Sequence, residues 1–129
     1  MFFVRKPPVL PEIVREAGKP DGLVHICDQS ALLFGSDRRE PVHARPVVAL
    51  RREGERYVVL PCTSKAQAAN VDFFELNENR VMWSRPTNGR SSFAFSRYEV
   101  VDESMLEGKI GVMPQAARIE LLNWLISRY

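Results

Sequence analysis

A chain of 129 residues with 45% hydrophobic and 26% charged content makes one ordinary globular domain, long enough for a single core and too short for two. Its net charge of +2, from 18 basic and 16 acidic residues, is too small to name a partner, and the composition excludes a disordered chain. No unbroken apolar run approaches the roughly 18 residues that span a bilayer. The apolar start at residues 1–10 is broken by Pro7 and Pro8 and has no small-residue cleavage site, so the expectation is a cytoplasmic protein without membrane contact.

Residues 1–21 hold four prolines and read as an irregular lead-in, with a short helix over 11–18 opened by Pro11 and closed by Gly18. Residues 22–129 read as the domain proper. β-branched and apolar residues at 23–28, bounded by Gly22 and Asp28, predict a strand. Residues 29–44 predict a long, partly anchored loop, of a length that often carries function. Segments 46–50 and 56–60 then predict a β-hairpin closed by a turn around Gly54. After a loop from Pro61, further strands are predicted at 71–76, 80–84 and 92–101, the last two flanking a turn at Asn88-Gly89. From Pro114, the residues Ala117, Leu121, Leu122, Leu125 and Ile126 repeat at helical spacing and predict a closing amphipathic helix. Trp124 on it reads as a packing or dimer-contact residue. Short strands followed by one helix predict a mainly β, α+β fold: a compact, bent antiparallel sheet or small barrel with the helix packed against it.

Standard catalytic signatures are absent: no phosphate-binding Gly-rich loop, no GxSxG, no HExxH, and no close acidic pair to hold magnesium. Cys27 and Cys62 are too few for a disulfide framework and read as buried thiols. With His25 and His43 they lack the close pairs of a zinc site, so neither metal nor cofactor is expected. Arginine outnumbers lysine and concentrates between residues 38 and 97. Its planar fork suits a phosphodiester partner, although a genome that writes Arg for Lys leaves the same mark.

Two segments stand out. His43-Ala44-Arg45-Pro46 carries a histidine and an arginine two residues apart, on one face of an incoming strand. Cys62-Thr63-Ser64-Lys65 offers two hydroxyls and an ammonium where a strand ends. The hairpin between them brings Arg45 close to Thr63, and a fixed cation beside hydroxyl donors makes a phosphate cradle suited to the extra charge of a phosphorane. The plainer reading pairs Arg45 with a carboxylate and lets Thr63 and Ser64 cap a turn. Arg80, Trp83, Arg85 and Arg90 are candidates for cation and stacking contacts to single-stranded bases, with Trp83 equally suited to a core.

The run from His43 to Leu50, followed at hairpin distance by Val58 to Lys65, resembles the paired signature of the MazF/PemK family of toxins. The segment from Gly22 to Asp28 resembles that family's first strand, and Gly108 to Met113 with the final helix resembles its C-terminal end. This resemblance implies an SH3-like barrel, usually a homodimer, that cleaves single-stranded RNA without metal to 2′,3′-cyclic phosphate and 5′-hydroxyl ends. It also implies neutralisation by a cognate antitoxin protein. By position, Arg45 and Thr63 match the family's catalytic arginine and threonine and Ser64 the hydroxyl beside them, with Arg45 assisting proton transfer and holding the phosphate. His43 is a candidate helper and Lys65 a candidate RNA contact. Two other classes stay open: a non-catalytic protein of this fold that binds a protein target such as gyrase, and a barrel that binds RNA without cutting it.

Overall fold

The computed structural model describes residues 22–37, 42–67, 69–84 and 91–129. The expected lead-in at 1–21 with its short helix, and the turn at 85–90, lie outside them. Strand β1 (Leu23–Asp28) runs into a 3-10 turn (Gln29–Ala31). Then come β2 (Ala44–Glu53), β3 (Arg56–Thr63), β4 (Phe73–Leu76), β5 (Met82–Trp83), β6 (Ser92–Phe95) and β7 (Glu99–Asp102). A second 3-10 turn (Glu103–Met105), β8 (Leu106–Val112) and the helix α1 (Gln115–Ser127) complete the chain. The strands form one antiparallel sheet in the order β4-β6-β3-β2-β1-β8-β5, with β7 added on β3.

The predicted hairpin is β2–β3. Gly54 supplies the positive φ of 62° in its turn, a conformation that costs a residue without Cβ nothing. Both strands are longer than their apolar runs suggested: β2 begins at Ala44 and so includes Arg45 and Pro46, and β3 continues through Pro61 and Cys62 to Thr63, where a loop was expected. Their apolar runs are continuous because both faces are covered. Val48, Leu50, Val58 and Leu60 enter a large core with Phe74, Leu76, Leu121 and Leu125. Val47, Ala49, Tyr57 and Val59 enter a smaller one with Cys27, Leu32 and Val101.

A register shift between Ala49 and Arg51 bends the hairpin, and β3 changes partner along its length. Its residues 56–59 pair with β7, whereas Cys62 and Thr63 pair with Ala94 and Phe93 of β6. That change corrects the single strand expected over 92–101, which breaks at Ser96–Tyr98 so that its two halves can serve the two ends of β3. The strands expected at 71–76 and 80–84 shorten to Phe73–Leu76 and Met82–Trp83. In α1 the buried residues are Ala117, Leu121 and Leu125, one stripe four residues apart, while Ile126 faces outward, 43% exposed. Trp124 packs its ring 5.4 Å from Phe74 and donates its indole N–H to the Val71 carbonyl at 3.0 Å, which agrees with a packing role. Among the described residues no helix is long and apolar enough to cross a membrane.

Candidate functional site

The β2–β3 register sets Val47 opposite Pro61. The β2–β3 pairing ends there, and two residues further along each strand stand Arg45, opposite Cys27 of β1, and Thr63, opposite Phe93 of β6, which line one cleft. Arg45 is only 5% exposed, which a guanidinium tolerates only when its N–H groups are met. Its Nε donates to Gln29 Oε1 at 2.5 Å and its Nη1 to the Cys62 carbonyl at 3.0 Å, while its Cζ lies 4.8 Å from the centre of the Phe34 ring. The predicted approach of Arg45 to the end of β3 is thus realised through the carbonyl next to Thr63.

The loop after β1 wraps over this cation. Asp28 caps the 3-10 turn by accepting the backbone N–H and hydroxyl of Ser30, at 2.9 and 2.7 Å. These two bonds lead in holding the Asp28 carboxyl below its ordinary pKa, with a smaller contribution from the charge of His43. Gln29, 8% exposed, donates its side-chain amide to the Phe34 carbonyl at 2.7 Å and its backbone N–H to the His43 carbonyl at 2.9 Å. Glu99, at the start of β7, accepts the backbone N–H groups of Leu33 at 2.7 Å and Phe34 at 3.0 Å. Phe34 also packs 5.1 Å from Phe95, which in turn sits 5.1 Å from Phe73.

The result is a shallow cleft of about 270 Å³ lined by Phe34, Gly35, Asp37, Arg45, Thr63 and Lys65. Thr63 Oγ1 accepts the Lys65 backbone N–H at 3.2 Å, an arrangement that leaves the hydroxyl hydrogen to donate elsewhere. Ser64 is exposed beside Thr63 and does not line the cleft. His43 is exposed at a bend before β2, whereas Arg45 is buried, so the two do not share one strand face as expected. Both thiols are buried, as expected, and burial pushes Cys62 up to about 12 and Cys27 up to about 11. Among the described residues no group of three or more His, Cys, Asp or Glu is placed to hold a metal ion.

The remaining candidates stand elsewhere. Arg80 is tied down at the surface, away from the cleft: its Nε and Nη2 donate to Glu120 at 3.1 and 2.8 Å, its Nη1 donates to the Glu75 carbonyl at 2.8 Å, and its Cζ lies 4.3 Å from the centre of the Phe74 ring. Trp83 is half-buried and packs against the large core. Arg85 and Arg90 lie outside the described residues. Gln29, Glu99, Gly35 and Phe34 were not singled out from sequence. The Asp28-Gln29-Ser30 pattern does signal a capped turn, but nothing local says where Gln29 points.

No protein-family model matches the chain, and no curated protein matches it. Among solved structures it is similar to Mycobacterium tuberculosis toxin MazF-mt6, with a TM-score of 0.57 over 82% of this chain and 93% of that one, at 16% sequence identity. That likeness establishes a MazF-like fold, a mostly antiparallel sheet with one C-terminal helix.

Proposed function

We infer that the chain is a toxin of a toxin-antitoxin system: a cytoplasmic, metal-independent endoribonuclease that cleaves single-stranded RNA at the Arg45–Thr63 cleft. The observation that carries this reading is the buried Arg45 guanidinium bonded to the Cys62 carbonyl and sharing a cleft with Thr63. The shared fold with a MazF toxin and the resemblance of the two central segments to that family support it. An antitoxin protein and a second copy of the chain are the partners this reading carries with it.

In the reaction, the 2′-oxygen bonds to the adjacent phosphorus and gives its proton to water, while the bond to the 5′-oxygen breaks and that oxygen takes a proton from water, so no net proton is gained or lost. The products are a 2′,3′-cyclic phosphate and a 5′-hydroxyl. Charge grows on the non-bridging oxygens as five bonds form at phosphorus. A guanidinium that stays protonated at every working pH stabilises that charge best when it is already fixed and partly dehydrated. The Thr63 hydroxyl donates to the same oxygens, Ser64 and Lys65 hold the flanking backbone, and His43 stands nearby as a helper. Arg80 is engaged with Glu120 and Trp83 with the large core; with Arg85 and Arg90 they are secondary candidates for contacts to bases further along the strand.

The test is incubation of the purified protein with a long single-stranded RNA in excess EDTA, with mapping of new ends. Discrete cuts bearing 5′-hydroxyls, blocked by a 2′-deoxy substitution at each cut position, are expected. Intact RNA overturns the reading; bound but uncut RNA then identifies a binding barrel, and captured gyrase a protein-directed toxin.

A further inference from the structure

We propose that Gln29 is the positioning residue that aims the Arg45 guanidinium, an inference that rests on the ribonuclease reading above. A guanidinium on a long side chain samples many rotamers, and catalysis by a fixed charge requires that this freedom be lost before the substrate arrives. Arg45 is held by groups on three sides. The Cys62 carbonyl takes Nη1, the guanidinium carbon lies over the Phe34 ring, and Gln29 Oε1 takes Nε. Two hydrogen bonds to different nitrogens of one planar group, with its carbon over an aromatic ring, fix its position and restrict its rotation.

Gln29 is built for this task. Its Nε2 donates to the Phe34 carbonyl at 2.7 Å, so its oxygen must face Arg45; the reverse amide orientation would set donor against donor. Its own backbone is tied to His43 and sits in the turn capped by Asp28. It is buried and does not line the cleft, so it reaches the substrate only through Arg45. An amide here has a further consequence. It accepts from Nε without cancelling the guanidinium charge, as a carboxylate at the same place would.

The test uses the full chain and reads Arg45 directly, by solvent exchange of its Nε–H in proton–nitrogen spectra, alongside cleavage kinetics. In Gln29→Met, of similar volume but without an acceptor, Nε–H exchange is expected to speed up by about tenfold or more, with the β2 and β3 amides unchanged. At the same time kcat is expected to fall on the order of a hundredfold with little change in KM. Unchanged exchange, or unchanged kcat, overturns the proposal. In Gln29→Glu, which keeps the acceptor for Nε, adds a charge and gives up the N–H bond to the Phe34 carbonyl, the ion pair with Arg45 keeps Nε–H protected while kcat falls; loss of protection there overturns it too, and this variant decides the matter if Gln29→Met does not fold. A parent protein that cuts no RNA defeats the ribonuclease reading, whereas the exchange comparison still decides whether Gln29 aims Arg45.

Discussion

The Arg45 guanidinium fills the space that a side chain at position 35 would need: a Cβ on Gly35 would overlap Arg45 Nη2, and the backbone there has a φ of +79°. Glycine is therefore required twice at this point, once for the left-handed turn and once for the close approach of the loop to the cation. The loop after β1 is thus built against Arg45, and the fold of the loop and the aim of the arginine are one problem.

Gly35→Ala is expected to lose about 1 to 3 kcal/mol of stability through its backbone conformation, and to displace the guanidinium. Denaturant unfolding reads the first effect and RNA cleavage the second. A variant as stable and as active as the parent contradicts the packing described.

Glu99 ties the same loop to the start of β7. Glu99→Ala removes the acceptor for two backbone N–H groups in a partly solvated setting, and about 1 kcal/mol is expected from each bond at most. Amide exchange at Leu33 and Phe34 should accelerate while that of β2 holds. Equal acceleration throughout the domain points instead to global destabilisation.

The two thiols give the fold a pH dependence at the alkaline end. Their folded values, about 12 for Cys62 and about 11 for Cys27, lie above the ordinary 9.0, with burial the leading cause for each. Above pH 9 the unfolded chain releases these protons while the folded chain keeps them, so this contribution is fully present below 9 and declines as pH rises toward 11 and 12. Unfolding free energy measured from pH 7 to 11 should fall more steeply in the parent than in a Cys27→Ala, Cys62→Ala double variant. Parallel curves rule this out.

Lys65 and Arg80 separate an RNA contact from a structural ion pair. Lys65→Ala is expected to lower the dependence of RNA affinity on salt by about 0.7 in the log–log slope, one released counterion on a single strand. Arg80→Ala, which breaks the contacts to Glu120 and the Glu75 carbonyl, should mainly lower the unfolding midpoint. A reversal of these two outcomes assigns Arg80 to the RNA surface.

The β2–β3 hairpin was legible because β-branched residues and a lone glycine are local signals, and the hairpin alone predicts that Arg45 meets the end of β3. Helix α1 was legible for the same reason, from its apolar spacing. β8 was not predicted as a strand, since Glu107, Gly108, Lys109 and Gly111 have little strand propensity; its pairing with β1 is imposed by tertiary context. Gln29 and Glu99 were invisible for a deeper reason: each acts on groups 5 to 66 positions away in the chain, and an amide or carboxylate in a polar segment carries no mark of its distant partner.

The central claim is that the cleft at Arg45 cuts RNA, and the single-turnover cleavage rate of Arg45→Ala against the parent, at one mapped site in EDTA, tests it most directly. The account predicts a fall of about 10²- to 10³-fold, the loss expected when a preorganised charge is removed from a transition state. A folded Arg45→Ala protein that cleaves at the parent's rate contradicts it.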